Sequence, residues 1–168
     1  MNATMSSTRQ NAIETLRDMI KGIDMAMLTT VHEDGTLRSR PMSTQEFEFD
    51  GELWFFTYDN TGKTNDIAHE QQVNVSYMDK GKDQYISVSG TGSVRHDRQK
   101  MEALWSPILK AWFPEGLETP NLALLCVDVQ KAEYWVSDGK VAALLDLAKS
   151  LLTGTEAEGG KNEKLTLR

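Results

Sequence analysis

The sequence predicts a mainly β fold with added helices, built as a small antiparallel barrel. Short runs of alternating, β-branched or aromatic residues recur between turn signals, roughly six or seven of them. The turns are short, among them Glu33-Asp34-Gly35, Asp50-Gly51 and Lys80-Gly81-Lys82-Asp83, and short turns join neighbouring strands antiparallel. Three or four helical patterns, by rough count, are inserted among these runs or follow them. A closed small barrel is the economical way for such a chain to avoid exposed edges.

The elements follow in order. A loose tail precedes a helix over 9–21, capped by Ser7 or Thr8, with Ile13, Leu16, Met19 and Ile20 on one side and Gly22 at its end. Strands follow over 25–32 and 36–42; Pro41 has no ladder donor, so it marks a strand end, an edge or a bulge. Residues 45–50 and 52–58 form the clearest pair, because Asp50-Gly51 between alternating runs is a strong hairpin signal. A loop then enters a helix within 60–71, capped by Thr61 or Thr64, with Ile67 and Ala68 facing inward. Residues 72–79 alternate, with Val73, Val75 and Tyr77 on one face. In the next strand, 84–95, Gly90 and Gly92 point to a bulge, a bend or the close approach of another chain or ligand.

Asp97 caps a helix over 98–111 that Pro107 kinks or splits. An aromatic turn, Trp112-Phe113-Pro114-Glu115-Gly116, leads to an apolar strand over 122–129 and, after a break, another over 132–136. A final helix is expected over 140–152. The expected organisation is a flexible tail at 1–10, one domain over 11–152 ending in that helix, and a Gly- and charge-rich flexible tail at 153–168.

The net charge of -7 disfavours nonspecific binding of nucleic acid or anionic membrane. The single cysteine, Cys126, forbids an intrachain disulfide and fits a reducing, cytoplasmic setting. There is no signal-peptide core, and no apolar run approaches the roughly 20 residues of a membrane helix.

Few residues carry chemistry of their own. His32, His69 and His96 lie far apart, without metal-ligand spacing, and read as surface histidines; no metal is expected. Cys126 sits inside an apolar strand and reads as core. Nucleophile elbow, dinucleotide fingerprint and complete phosphate loop are all missing, since Gly62-Lys63-Thr64 lacks its upstream glycine. An enzyme built on this chain therefore needs a cofactor.

The other signal is basic. Arg40 before the expected hairpin and Lys63 after it would lie side by side, where a guanidinium fork and an ammonium suit one phosphate monoester. The start of the helix at Thr61 to Thr64 would add free N–H groups. On pattern alone the pair reads equally as two solvated rim charges. Trp112 and Trp135, both beside turns, are candidates for stacking on a flat ligand, for packing or for a subunit contact.

Leu28 to Thr30, Gly35, Ser39-Arg40-Pro41-Met42, Leu53 to Thr57, Lys63 and Ile67, in this order and spacing, resemble the flavin-binding split-barrel superfamily. Within it the chain is similar to the general stress protein family, relatives of pyridoxamine 5'-phosphate oxidase, over about residues 13–139. The resemblance implies a six-stranded antiparallel split β-barrel that binds FMN, with FAD as the alternative, at a homodimer interface. It implies that Arg40 and Lys63 hold the phosphate, helped by Thr61 and Thr64. Pro41, Met42 and Ser43 would run along the flavin ring or ribityl chain, Ser39 would belong to the same cofactor site, and Phe56 and Thr57 would contact the flavin. Tyr85 would reach it from the other subunit, Trp135 matches the tryptophan of the oxidases' closing strand, and Trp112 would cap the ring.

Two departures stand out. Gly62 replaces the oxidases' arginine before the phosphate lysine. Val136-Ser137-Asp138-Gly139 stands where they carry an arginine and a histidine that grip pyridoxal phosphate. The resemblance thus implies a flavin-dependent oxidoreductase acting on an unidentified small molecule, not a true pyridoxamine phosphate oxidase. The alternatives are a noncatalytic flavin-binding protein for storage, sensing or stress response, and a barrel-shaped interaction domain without flavin.

Overall fold

A computed structural model describes residues 2–45, 48–136 and 161–167, with side chains from Thr8 onward. Its strands are β1 (Met25–Val31), β2 (Leu37–Ser43), β3 (Glu52–Tyr58), β4 (Gln72–Asp79), β5 (Gln84–Arg95), β6 (Leu122–Val136) and β7 (Lys161–Thr166). Its α-helices are α1 (Asn2–Ile20), α2 (Gly62–His69) and α3 (Arg98–Leu104). Every strand pairing is antiparallel, in the order β2-β1-β4-β5-β6-β3, with β7 added beside β6. β2 and β3, the two ends of this order, come into contact, so the sheet curls on itself into a barrel.

Alternation decides which side chains fill it. Leu28, Val73, Val75, Ile86 and Val88 point inward and are buried, and α1 closes one end with Ala12, Ile13 and Leu16. α2 adds Ile67 to this core, whereas Ala68, also expected to face inward, is exposed. Outside the barrel, α3 and the 3-10 turn Pro107–Ala111 cover β3 and β6 with a second cluster, in which Phe56, Phe113 and Leu124 meet Met101 and Leu104. β3 is thus buried on both faces, which is why Leu53-Trp54-Phe55-Phe56 is apolar without alternation. Cys126 belongs to the second cluster, and burial pushes its thiol up to about 12, far from a reactive thiolate.

Several expectations are corrected. The Asp50-Gly51 hairpin does not form: β3 pairs with β6, from Glu52 opposite Asp128 to Tyr58 opposite Leu122. The segment before it is held by α1, for Arg17 donates to the Phe49 carbonyl and ion-pairs with Glu48, while the Phe49 ring enters the core. Residues 46 and 47 lie outside the described residues, as does the expected helix over 140–152.

The first helix begins at Asn2, within the expected N-terminal tail. The expected C-terminal tail contains β7, seventh rather than sixth of the strands. β7 pairs with Lys131 to Val136, Tyr134 donates to Glu163, and Leu167 is buried at 1% exposure, with its carbonyl accepting from Arg9. β6 runs unbroken through the expected break. Pro107 does split the helix it follows, since α3 ends at Leu104 and a 3-10 turn starts at the proline.

Candidate functional site

β1 and β2 form a hairpin in which Leu28 faces Arg40. Arg40 is only partly exposed, and its inward direction brings it to the end of the barrel beside α2. There Nη1 donates to the Thr30 hydroxyl at 2.7 Å, and Nη2 lies 3.5 Å from Asp66 Oδ2. Asp66 is 2% exposed. Its carboxylate accepts from the Thr30 hydroxyl at 2.7 Å on Oδ2 and from His32 Nδ1 at 2.8 Å on Oδ1. Burial pushes the Asp66 carboxyl up, but the hydrogen bonds from His32 and Thr30 and the nearby cationic groups outweigh it and hold the pKa below 3.8.

Lys63 stands one helical turn before Asp66. Burial and then the charge of Arg40 lower its pKa. Among the described residues Lys63 has no ion-pair partner. The helix start that presents it is locked: the Thr61 N–H donates to Thr64 Oγ1 at 3.0 Å, and Thr64 is buried with its hydroxyl 2.8 Å from the Asp59 carbonyl. The first N–H groups of such a helix have no intrahelical acceptor. Arg40 and Lys63 therefore share a half-buried corner with one carboxylate, a surplus of positive charge that suits an anion.

Ser39 and Pro41, the neighbours of Arg40 along β2, point to the outer face, where Ser39 bonds Thr29 at 2.7 Å. On that face Met25, Met27, Pro41, Met78, Tyr85 and Trp135 surround an open depression. Tyr85 and Trp135 are directly opposed across β5 and β6 and are 47% and 40% exposed. Ser43 is partly exposed at the end of β2, while Met42 is buried in the barrel core.

The expected residues thus fall into two neighbouring groups. Arg40, Thr61, Lys63 and Thr64 gather at the polar corner; Pro41, Tyr85 and Trp135 gather on the apolar face. The others lie elsewhere. The Phe56 ring is enclosed in the outer cluster, edge-on to Trp105 at 5.4 Å, so its side chain and that of Met42 lie in separate layers. Thr57 is buried and turned toward the Tyr58 carbonyl. Trp112 is 51% exposed and belongs to neither group, though its carbonyl accepts from the Tyr58 hydroxyl at 3.0 Å. A separate cleft beneath the C-terminal end of α1, lined by Ile20, Thr44, Phe49 and Tyr77, contains none of the expected residues.

Sequence reasoning missed Thr30, His32 and Asp66. The first two are spaced to share one strand face, and Asp66 adjoins the inward Ile67; both signals acquire meaning only once α2 is known to cover β1. His96 bonds Asp59 at 2.9 Å at the surface. Among the described residues no group of three or more His, Cys, Asp or Glu is placed to hold a metal. No described helix is long and apolar enough to cross a membrane.

Comparison with known proteins bears on the family and the fold. A family model described as pyridoxamine 5'-phosphate oxidase like matches residues 11–158. "Protein bli-3" of Neurospora crassa is 31% identical in an alignment that covers 92% of this chain and 79% of that protein. The General Stress Protein 26 from Bacillus anthracis superposes with a TM-score of 0.63 at 27% identity, over 74% of this chain and 92% of that one. The general stress FMN/FAD binding protein from Xanthomonas citri does so with a TM-score of 0.67 at 29% identity, over 78% and 92%. The curled antiparallel sheet is the split-barrel fold these structures share.

Proposed function

The chain belongs to the pyridoxamine 5'-phosphate oxidase-like family, and from that premise we propose that it binds FMN by its phosphate and serves as a flavin-dependent oxidoreductase for a small molecule. The observation that carries the reading is the partly buried Lys63 beside Arg40, without an ion-pair partner among the described residues. A phosphate monoester matches that donor set: the Arg40 fork offers paired N–H groups, Lys63 a point charge, and the start of α2 further N–H groups. The bound flavin supplies hydride or electron transfer. The protein's share is to fix the phosphate, present an apolar bed and exclude water.

The bed on this reading is the depression framed by Pro41, Tyr85 and Trp135, on the outer face of the sheet that carries Arg40 on β2. Its exposed methionines and aromatics form an apolar patch of the kind that marks an interface. We assign it to a second copy of the chain, so that the ring is enclosed by both. The departure at Val136-Ser137-Asp138-Gly139 supports a substrate other than a vitamin B6 phosphate.

Titrating the flavin-free protein with FMN and with riboflavin, followed by flavin fluorescence, tests the phosphate assignment. FMN is expected to bind at least about 100-fold more tightly, from two charge-assisted contacts. Equal affinities would remove the proposed clamp. Anaerobic mixing of the FMN-loaded protein with NADH or NADPH should bleach the flavin absorbance; loading without bleaching by any donor would favour the storage or sensing alternative. Sedimentation should show a dimer at micromolar concentration, and Trp135→Glu should give monomers. A wild-type protein that sediments as a monomer would contradict the shared interface.

A further inference from the structure

We propose that Asp66 is a positioning residue of the anion corner: through Thr30 it holds the Arg40 guanidinium in the pose that receives a phosphate, although its own charge repels that ligand. The inference rests on the phosphate reading above and extends it to a residue that does not touch the ligand. The puzzle is electrostatic. A buried carboxylate is costly unless fully paired, and beside an anion site it weakens the field that attracts the ligand. Yet Asp66 is 2% exposed, beside the very arginine expected to bind the phosphate.

The hydrogen bonds resolve it. The Thr30 hydroxyl has one proton, and it goes to Asp66 Oδ2 at 2.7 Å. Its lone pairs are then free for Arg40 Nη1, also at 2.7 Å. The carboxylate thus sets the direction of the whole chain: Arg40 donates to Thr30, and Thr30 donates to Asp66. The second oxygen receives His32 Nδ1 at 2.8 Å, which keeps the carboxylate from rotating. A free arginine side chain samples many rotamers, but its planar fork is directed once one edge is fixed. With Nη1 donating to Thr30 and, at 3.4 Å, to the Leu28 carbonyl, and with Nη2 near Asp66, the N–H groups of Arg40 that remain are left for a ligand. An asparagine at 66 can place its amide N–H toward Thr30. The hydroxyl proton is then turned toward Arg40, and the chain is broken without loss of volume.

The experiment uses inorganic sulfate, a dianion without a ring, followed by calorimetry on the flavin-free protein. In the wild-type background Asp66→Asn is expected to weaken sulfate binding about tenfold. Field strength alone demands the opposite, because a negative charge has been removed. In an Arg40→Ala background only the charge effect remains, so Asp66→Asn should then strengthen whatever sulfate binding is left. Thr30→Val keeps every charge and should also weaken binding severalfold; it carries the test if Asp66→Asn does not fold.

A rise in sulfate affinity on Asp66→Asn in the wild-type background, or unchanged affinity in Thr30→Val, would reduce Asp66 to a buried counter-ion and overturn the inference. The premise fails separately. If Arg40→Ala and Lys63→Ala leave sulfate affinity unchanged, the corner is not an anion site, and the inference falls with it.

Discussion

Gly90→Ala is expected to cost the fold about 3 kcal/mol or more and to lower Tm by roughly 6–12 °C. The cause is space rather than backbone freedom. A Cβ at residue 90 would lie 2.2 Å from the Asp128 carbonyl oxygen, 3.0 Å from its carbon and 3.2 Å from Val127 Cγ1. Two of these three neighbours are backbone atoms, so no rotamer change can relieve the clash. β6 is also held there from several sides. The β5–β6 register shifts between Ser89 and Gly90, the Val129 N–H donates to the Gly51 carbonyl, and the Gln130 carbonyl accepts from the Leu167 N–H. Moving the strand would strain its pairings to β3, β5 and β7 together. Gly62→Ala is the control, because a Cβ there meets nothing within 4 Å, and its Tm should stay within a few degrees of wild type. Thermal melts that place Gly90→Ala beside this control would refute the close approach.

Gly90 also shows what the sequence makes legible. A glycine inside a strand pattern has few explanations, and both a bulge and a close approach are present at this one. Alternation located β4, the strand expected over 84–95 is β5, Thr61 is the one of the two expected caps that starts α2, and Pro107 splits its helix as expected. Signals failed where a distant partner outweighed a local one. Asp50-Gly51 has the chemistry of a hairpin, but β3 buries both faces and takes its whole ladder from β6. Arg40 and Lys63 were expected to meet as the two ends of that hairpin. They meet by another route, one from β2 through β1 and the other from α2 lying over β1. β7 reads as a tail because its residues are largely polar; its order comes from the ladder to β6 and from the anchoring of Leu167, neither of which composition reveals. The Thr30–Asp66–His32 network was invisible for the same reason, as its members meet only when α2 docks.

Arg40→Ala and Lys63→Ala are each expected to weaken FMN binding by roughly 1.5–3 kcal/mol, the range for charge-assisted hydrogen bonds, with riboflavin affinity nearly unchanged. The double variant is the more discriminating case. With both cations gone, the Asp66 carboxylate that lies 3.5 Å from Arg40 Nη2 in the wild type is left at the corner without that partner, so FMN should bind no better than riboflavin. The wild-type protein should also show a pH dependence of definite sign. Burial and Arg40 lower the pKa of free Lys63 below 10.5, and a bound phosphate restores it. Binding therefore takes up a proton between the two values, and FMN affinity declines as pH rises through the lowered one. Lys63→Ala removes this slope, while riboflavin, which carries the same ring, reports any alkaline change that does not involve the phosphate. Fluorescence titrations of both flavins from neutral to alkaline pH distinguish the cases. A slope that persists in Lys63→Ala would mean that the proton belongs to another group and that Lys63 is a rim charge.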